Sequence, residues 1–122
     1  MNIYKGIEPF PNYEEYALKS QMRRSSISIP SNIAEGLGRR SSKDFKRFID
    51  IAIGSLFELQ TQLEISKRLN YLNEEQFSEY FEQTRKIERM IAAFRKTLNS
   101  QTHVLRNLVS QALFYALHQI RT

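Results

Sequence analysis

The chain has 122 residues, no cysteine, four glycines, three prolines and a net charge of +5. One domain with a single core fits that length, without metal or disulfide staples. The missing cysteines exclude a disulfide framework, a thiolate metal site and a cysteine nucleophile, and they fit a reducing, cytoplasmic setting. The first residues lack the apolar segment of a secretory signal. No apolar run approaches the ~18–20 residues of a membrane span. Few helix breakers and a charged fraction of 25% point to helix throughout.

Residues 1–12 read as an irregular lead-in, with Pro9 and Pro11 on either side of Phe10. Asn12 is a candidate N-cap, with Glu14 and Glu15 in the first turn, where the helix dipole favours acids. A first helix is expected over 13–36, with Leu18, Met22, Ser25, Ile29 and Ile33 on one face. Pro30 should kink it, because the stripe continues to Ile33. Gly36 and Gly38 then read as C-caps.

Ser41 opens a second helix over 42–69 in the manner of a capping box, with Asp44 in place of the usual Glu. Phe45, Ile49, Ala52, Leu56, Leu59 and Leu63 form a heptad seam. Phe48, Ile51, Ile65 and Leu69 form an adjacent stripe, so this helix should pack on more than one neighbour. Asn70-Tyr-Leu-Asn73 is the stop. Asn73 and Gln76 begin a third helix over 74–98, with Phe77, Tyr80, Thr84, Ile87, Ile91, Phe94 and Leu98 inward. After a turn at 99–102, with Thr102 as a cap, a last segment over 103–120 is apolar nearly all round. It calls for burial in the bundle, in an oligomer or against another partner. Four helices joined by short turns make an all-α, antiparallel up-and-down four-helix bundle of one domain.

Charge is concentrated in one region. From Lys19 to Arg47 there are eight Lys or Arg against Glu35 and Asp44. Arg39, Arg40, Lys43, Lys46 and Arg47 surround the turn between the first two helices, and Arg23 and Arg24 lie on the first helix. A basic corner on a helical scaffold points to an anionic partner, with nucleic acid the leading candidate. Free N–H groups at the start of the second helix would favour an anion, although Ser41 is also an N-cap and surface arginines are often simply solvated. Antiparallel helices would put Arg23 about four turns from Arg39, so an assembly would be needed to join the two groups.

A di-metal carboxylate bundle needs Glu-x-x-His pairs. Ser100 precedes His103 and Tyr115 precedes His118 at that spacing, so no metal or other cofactor is expected. No Walker-type phosphate loop is present. Asn32, Glu35, Glu58 and Gln62 fall beside apolar stripes. They read as a polar network that fixes helix register or closes an oligomer interface, rather than as catalytic carboxylates.

Gln21-Met-Arg-Arg-Ser-Ser-Ile-Ser-Ile-Pro-Ser-Asn-Ile-Ala-Glu-Gly, Gly38-Arg-Arg-Ser, Phe45-x-x-Phe48, the run from Ile51 to Leu63, and Leu69-Asn-Tyr-Leu carry a resemblance. From about Tyr13 to Leu98 the chain resembles the four-helix bundle family of 23S rRNA intervening-sequence proteins, also called S23 ribosomal protein. The resemblance implies a bundle that assembles into a ring, typically a homopentamer, in bacteria. It also implies kinship with the accessory protein of diversity-generating retroelements, which binds nucleic acid beside a reverse transcriptase. It brings no catalytic residues, and a non-enzymatic protein is expected. Two functions follow: binding of structured RNA or DNA through backbone phosphates, or a protein-interaction scaffold for a nucleic-acid enzyme. The family's first helix is reduced here to a remnant at residues 3–11, and residues 102–122 extend past the usual end. The apolar last helix is expected to fill the vacated slot; the rival is a tail exchanged between subunits.

Overall fold

The computed structural model describes residues 12–98, together with 111, 113–115, 117 and 118. These form an all-α bundle with three long helices: α1 (Asn12–Leu37), α2 (Ser42–Arg68) and α3 (Glu74–Thr97). The six C-terminal residues described are also helical. The readings for the lead-in, the 99–102 turn, His103 and the segment up to residue 110 lie outside the described residues.

The short connections make neighbouring helices antiparallel. Cross-helix contacts agree. On α1 and α2, Ser28 meets Ser55 and Met22 meets Ser66. On α2 and α3, Asp50 meets Arg95 near one end, and Lys67 meets Glu74 at the other. α2 is central and packs against both α1 and α3.

The heptad seam is the core. Ile49, Ala52, Leu56, Leu59 and Leu63 of α2 are buried against Met22, Ile29 and Ile33 of α1 and Phe77, Ile87 and Ile91 of α3. Each fully buried aliphatic or Phe side chain contributes about 1.5–3 kcal/mol. Leu113 and Tyr115 of the C-terminal segment also pack against this cluster, half-buried. With Ile27, Pro30 and Ala34 of α1, Leu113 and Leu117 line an apolar cavity of about 230 Å³.

The helix ends follow local chemistry. Ser41 has extended backbone and its Oγ accepts from the Asp44 N–H at 3.1 Å. Asn73 and Gln76 form a complete capping box, with bonds of 2.7 and 3.0 Å. α2 ends at Arg68 with Leu69 as its C-cap, and Asn70 just beyond has a left-handed φ of 61°. The Tyr71 N–H then reaches the Ser66 carbonyl and the Asn70 N–H the Lys67 carbonyl, which is a Schellman closure.

Two local expectations change. α1 already includes Asn12 and continues through Pro30 to Leu37. Gly36 is therefore inside the helix, and neither Gly36 nor Gly38 has positive φ. Gly36 is required for space instead: a Cβ there would sit 3.0 Å from Phe48 Cβ and 3.0 Å from Phe45 Cδ1. The second stripe of α2 divides in the same way. Phe48 is buried, whereas Ile51, Ile65 and Leu69 are exposed, as is Phe57.

Candidate nucleic-acid interface

The turn between α1 and α2 forms one end of the bundle. Several of its backbone donors are used. The Gly38 N–H bonds the Glu35 carbonyl, the Arg39 N–H the Gly36 carbonyl, and the Phe45 N–H the Ser41 carbonyl. Ser41 Oγ occupies the Asp44 N–H, and Asp44 adds a negative charge to the first turn of α2. The Ser41 cap and the Asp44 charge weaken the α2 N-terminus as an anion site, so the cationic side chains are the main source of positive charge at this end.

Those side chains converge partly. Arg39, Arg40, Lys43 and Arg47 are exposed and Lys46 is half-buried. The guanidinium carbons of Arg39 and Arg47 lie 4.8 and 5.0 Å from the centre of the Phe48 ring. Such a cation over an aromatic ring is worth about 0.5–1 kcal/mol at an exposed site. Arg39 also approaches Glu35 at 3.5 Å. Lys43, Lys46 and Arg47 line an open depression of about 600 Å³ with Asp44, Asp50 and Arg95.

Arg95 is absent from the site as the sequence predicts it. It comes from the last turn of α3, which the antiparallel fold brings level with the start of α2. Its Nε donates to Asp50 Oδ1 and its Nη2 donates to Oδ2 at 3.3 Å. That hydrogen bond, then the charge of Asp50, raises the Arg95 pKa above its ordinary value. The signal was available: Asp50 and Arg95 stand nearly equidistant from the α2–α3 turn.

Arg23 and Arg24 are not part of this end. Arg24 lies about 20 Å back along α1 from Leu37, at 1.5 Å per residue. Its Nη2 donates to Gln21 Oε1 at 2.7 Å and lies 3.9 Å from Glu58 Oε1. Arg23 is half-buried beside it in sequence.

The four polar residues separate into different groups. Asn32 Nδ2 donates to the Ser28 carbonyl at 2.8 Å and to Ser28 Oγ at 2.9 Å. Ser28 Oγ in turn meets Ser55 Oγ across the α1–α2 seam at 2.7 Å. Gln62 is buried, and its Nε2 donates to the exposed Glu58 at 3.4 Å. Glu35 is exposed and faces Arg39 instead of Asn32. Asn32 and Glu35 are a turn apart less about 60°, enough for one to face the seam and the other solvent. On the far seam, Gln60 Nε2 donates to Thr84 Oγ1 at 3.1 Å and to Glu88 Oε1 at 3.0 Å. Ser55 and Thr84 are inward positions that the sequence marks, and Ser28 and Gln60 are the cross-link partners that it did not single out.

Among the described residues, no group of three His, Asp or Glu is placed to hold a metal ion. His118 is exposed on the C-terminal segment. No helix among the described residues is long and apolar enough to cross a membrane.

No curated protein matches the chain. One family model matches residues 1–93. That stretch takes in the lead-in before Tyr13, which the resemblance had treated as a departure, and it stops within α3. It contains the whole α1–α2 turn with its five cations, whereas Arg95 and the C-terminal segment lie beyond it. The model is that of the 23S rRNA-intervening sequence protein, and this chain belongs to that family.

Proposed function

We propose that the protein is a non-enzymatic helical bundle that binds structured nucleic acid, RNA or DNA, through the basic end formed by Arg39, Arg40, Lys43, Lys46 and Arg47. The observation that carries the reading is the concentration of these cations around one turn, four of them exposed. The family's name, which refers to 23S rRNA, supports it. Arg23 and Arg24 form a secondary basic site along α1. Contacts of this kind address phosphates and give affinity without sequence readout. With about five phosphates neutralised, log K should fall with log salt at a slope of roughly −4. Filter binding across a salt series tests this. Arg39→Glu with Arg40→Glu should reduce binding and flatten the slope; salt-insensitive binding, or no loss in the double variant, would refute the reading.

The protein acts as a homo-oligomer, which sets several basic ends side by side. Ile51, Phe57, Ile65 and Leu69 support this, because they are exposed on the helix that already packs on two neighbours. Gly54 lies among them, and a Cβ there would meet nothing within 4 Å. The ring of five is the form the family resemblance implies. Sedimentation velocity should show an assembly that Phe57→Glu with Ile65→Glu dissociates. A monomeric parent protein would remove this part of the proposal.

A scaffold for a nucleic-acid enzyme, such as a reverse transcriptase, is the second reading. The same apolar stripe favours it, together with Phe114, which is 75% exposed. Pull-down of a neighbouring gene's product by the oligomer, without nucleic acid, would select it.

A further inference from the structure

The cations of the basic end differ in how they are held. Lys43 and Arg40 are exposed. Arg39 and Arg47 instead share one support, the ring of Phe48. That ring is itself fixed: Phe48 is buried, and its Cβ approaches α1 at the position of Gly36. Two guanidinium groups are therefore tied to an immobile aromatic, while their side chains remain partly open to solvent. Arginine on an aromatic face loses less freedom on binding than a solvated lysine, and its flat outer surface can accept a second flat group. Phe48 and Phe45 are the aromatic residues of the turn and the first two turns of α2, and both are buried. Among the described side chains there, a nucleobase would stack on guanidinium and not on an aromatic ring.

The charge pattern points the same way. A helix that lies in a duplex groove presents a continuous basic face. The exposed face of α2 carries Asp44 among its cations and Asp50 one turn beyond them, then Ile51 and Gly54. These acids would face duplex phosphates on both sides of a groove. Cations gathered at a rim around a turn suit a strand whose bases are splayed apart.

We propose that Arg39 and Arg47, seated on Phe48, are stacking platforms for unpaired nucleobases, so that the basic end takes loops or single strands in preference to continuous duplex. Arg40, Lys43 and Lys46 hold the adjoining phosphates. This rests on the nucleic-acid reading above and narrows its ligand to unpaired nucleotides.

Fluorescence anisotropy with the full chain tests it, using three probes of equal phosphate count: a single-stranded oligoadenylate, a blunt duplex and an abasic strand. The oligoadenylate should bind tighter than the other two. Arg39→Lys with Arg47→Lys keeps every charge and removes the flat surfaces. It should weaken oligoadenylate binding about tenfold, within the range for loss of one stacked base, and leave duplex and abasic binding unchanged. A strand carrying an adenine analogue quenched by stacking gives a second readout on the unmutated protein, and its fluorescence should drop on binding. Equal affinity for the three probes, an unaffected double variant or an unquenched analogue would overturn the stacking role and leave phosphate binding standing. Failure of all three probes to bind at low salt would overturn the nucleic-acid reading as well.

Discussion

Ser28 Oγ and Ser55 Oγ lie 2.7 Å apart across the α1–α2 seam, and Asn32 donates to the same Ser28 hydroxyl. One hydroxyl thus serves as the node of a three-residue bond system spanning two helices. Removal of Ser28 Oγ leaves Ser55 and one Asn32 contact without their partner, and replacement of both serines leaves less unsatisfied. Ser28→Ala and Ser55→Ala should each cost about 1 kcal/mol of unfolding free energy. The double variant should cost less than the sum, by an interaction energy of about 0.5 kcal/mol or more. Urea unfolding of the four proteins measures this, and strict additivity would show that the hydroxyl contact is energetically idle.

The two helical glycines should respond oppositely to the same methyl group. At Gly36 a Cβ meets Phe48 Cβ at 3.0 Å, an atom anchored to the α2 backbone. Overpacking costs about 1–3 kcal/mol, against a helix-propensity gain of about 1 kcal/mol for Ala over Gly. Gly36→Ala should therefore be destabilising by up to about 2 kcal/mol on balance. Gly54→Ala meets nothing within the chain and should be stabilising by up to about 1 kcal/mol. Thermal unfolding at low protein concentration should place the two melting temperatures on either side of the parent.

Asp50 both pairs with Arg95 and places a negative charge in the basic depression. Asp50→Asn should raise affinity for nucleic acid at low salt by about threefold, the Coulombic effect of one charge some 6 Å away in water. The gain should shrink at high salt as the charges are screened. Arg95→Glu should do the reverse. Anisotropy titrations at two salt concentrations check both, and an unchanged affinity in Asp50→Asn would place the bound strand away from α3.

Tyr80 is half-buried on α3, and its pKa is raised first by desolvation and then by Glu79. Its neutral form is the one the fold favours. A folded pKa above the unfolded value contributes stability that is present below about pH 10, the unfolded value. That stability is lost as pH rises through the folded value. Difference spectrophotometric titration of the parent against Tyr80→Phe should show this phenol ionising later than a free tyrosine. Glu79→Gln should bring it part of the way back.

The long-period features were legible because they repeat. Phe45, Ile49, Ala52, Leu56, Leu59 and Leu63 recur at helical spacing, and all are buried. Ser41 and Asn73 cap their helices through bonds that depend only on neighbours three residues away. What was not legible needs a second helix. Gly36 has the sequence context of a helix end, and only the approach of Phe45 and Phe48 shows that it is a point of contact. Arg95 joins the basic end across 45 residues of chain, through a fold and not through a motif. The stripe containing Ile65 and Leu69 states how much apolar surface α2 carries. It does not state whether the same chain covers it, and in this chain both are exposed.

The central position of α2 sets an order of opening. α1 can peel away with α2–α3 still paired, and α3 can peel away with α1–α2 still paired, but α2 cannot open without losing both. Its mid-helix amides, around Leu56 and Leu59, should be the last to exchange with solvent, and those of α1 and α3 earlier. The basic end straddles both joints, with Arg39 carried by the stretch after α1, Arg47 by α2 and Arg95 by α3. Its full geometry therefore exists only while both hairpins are closed at once.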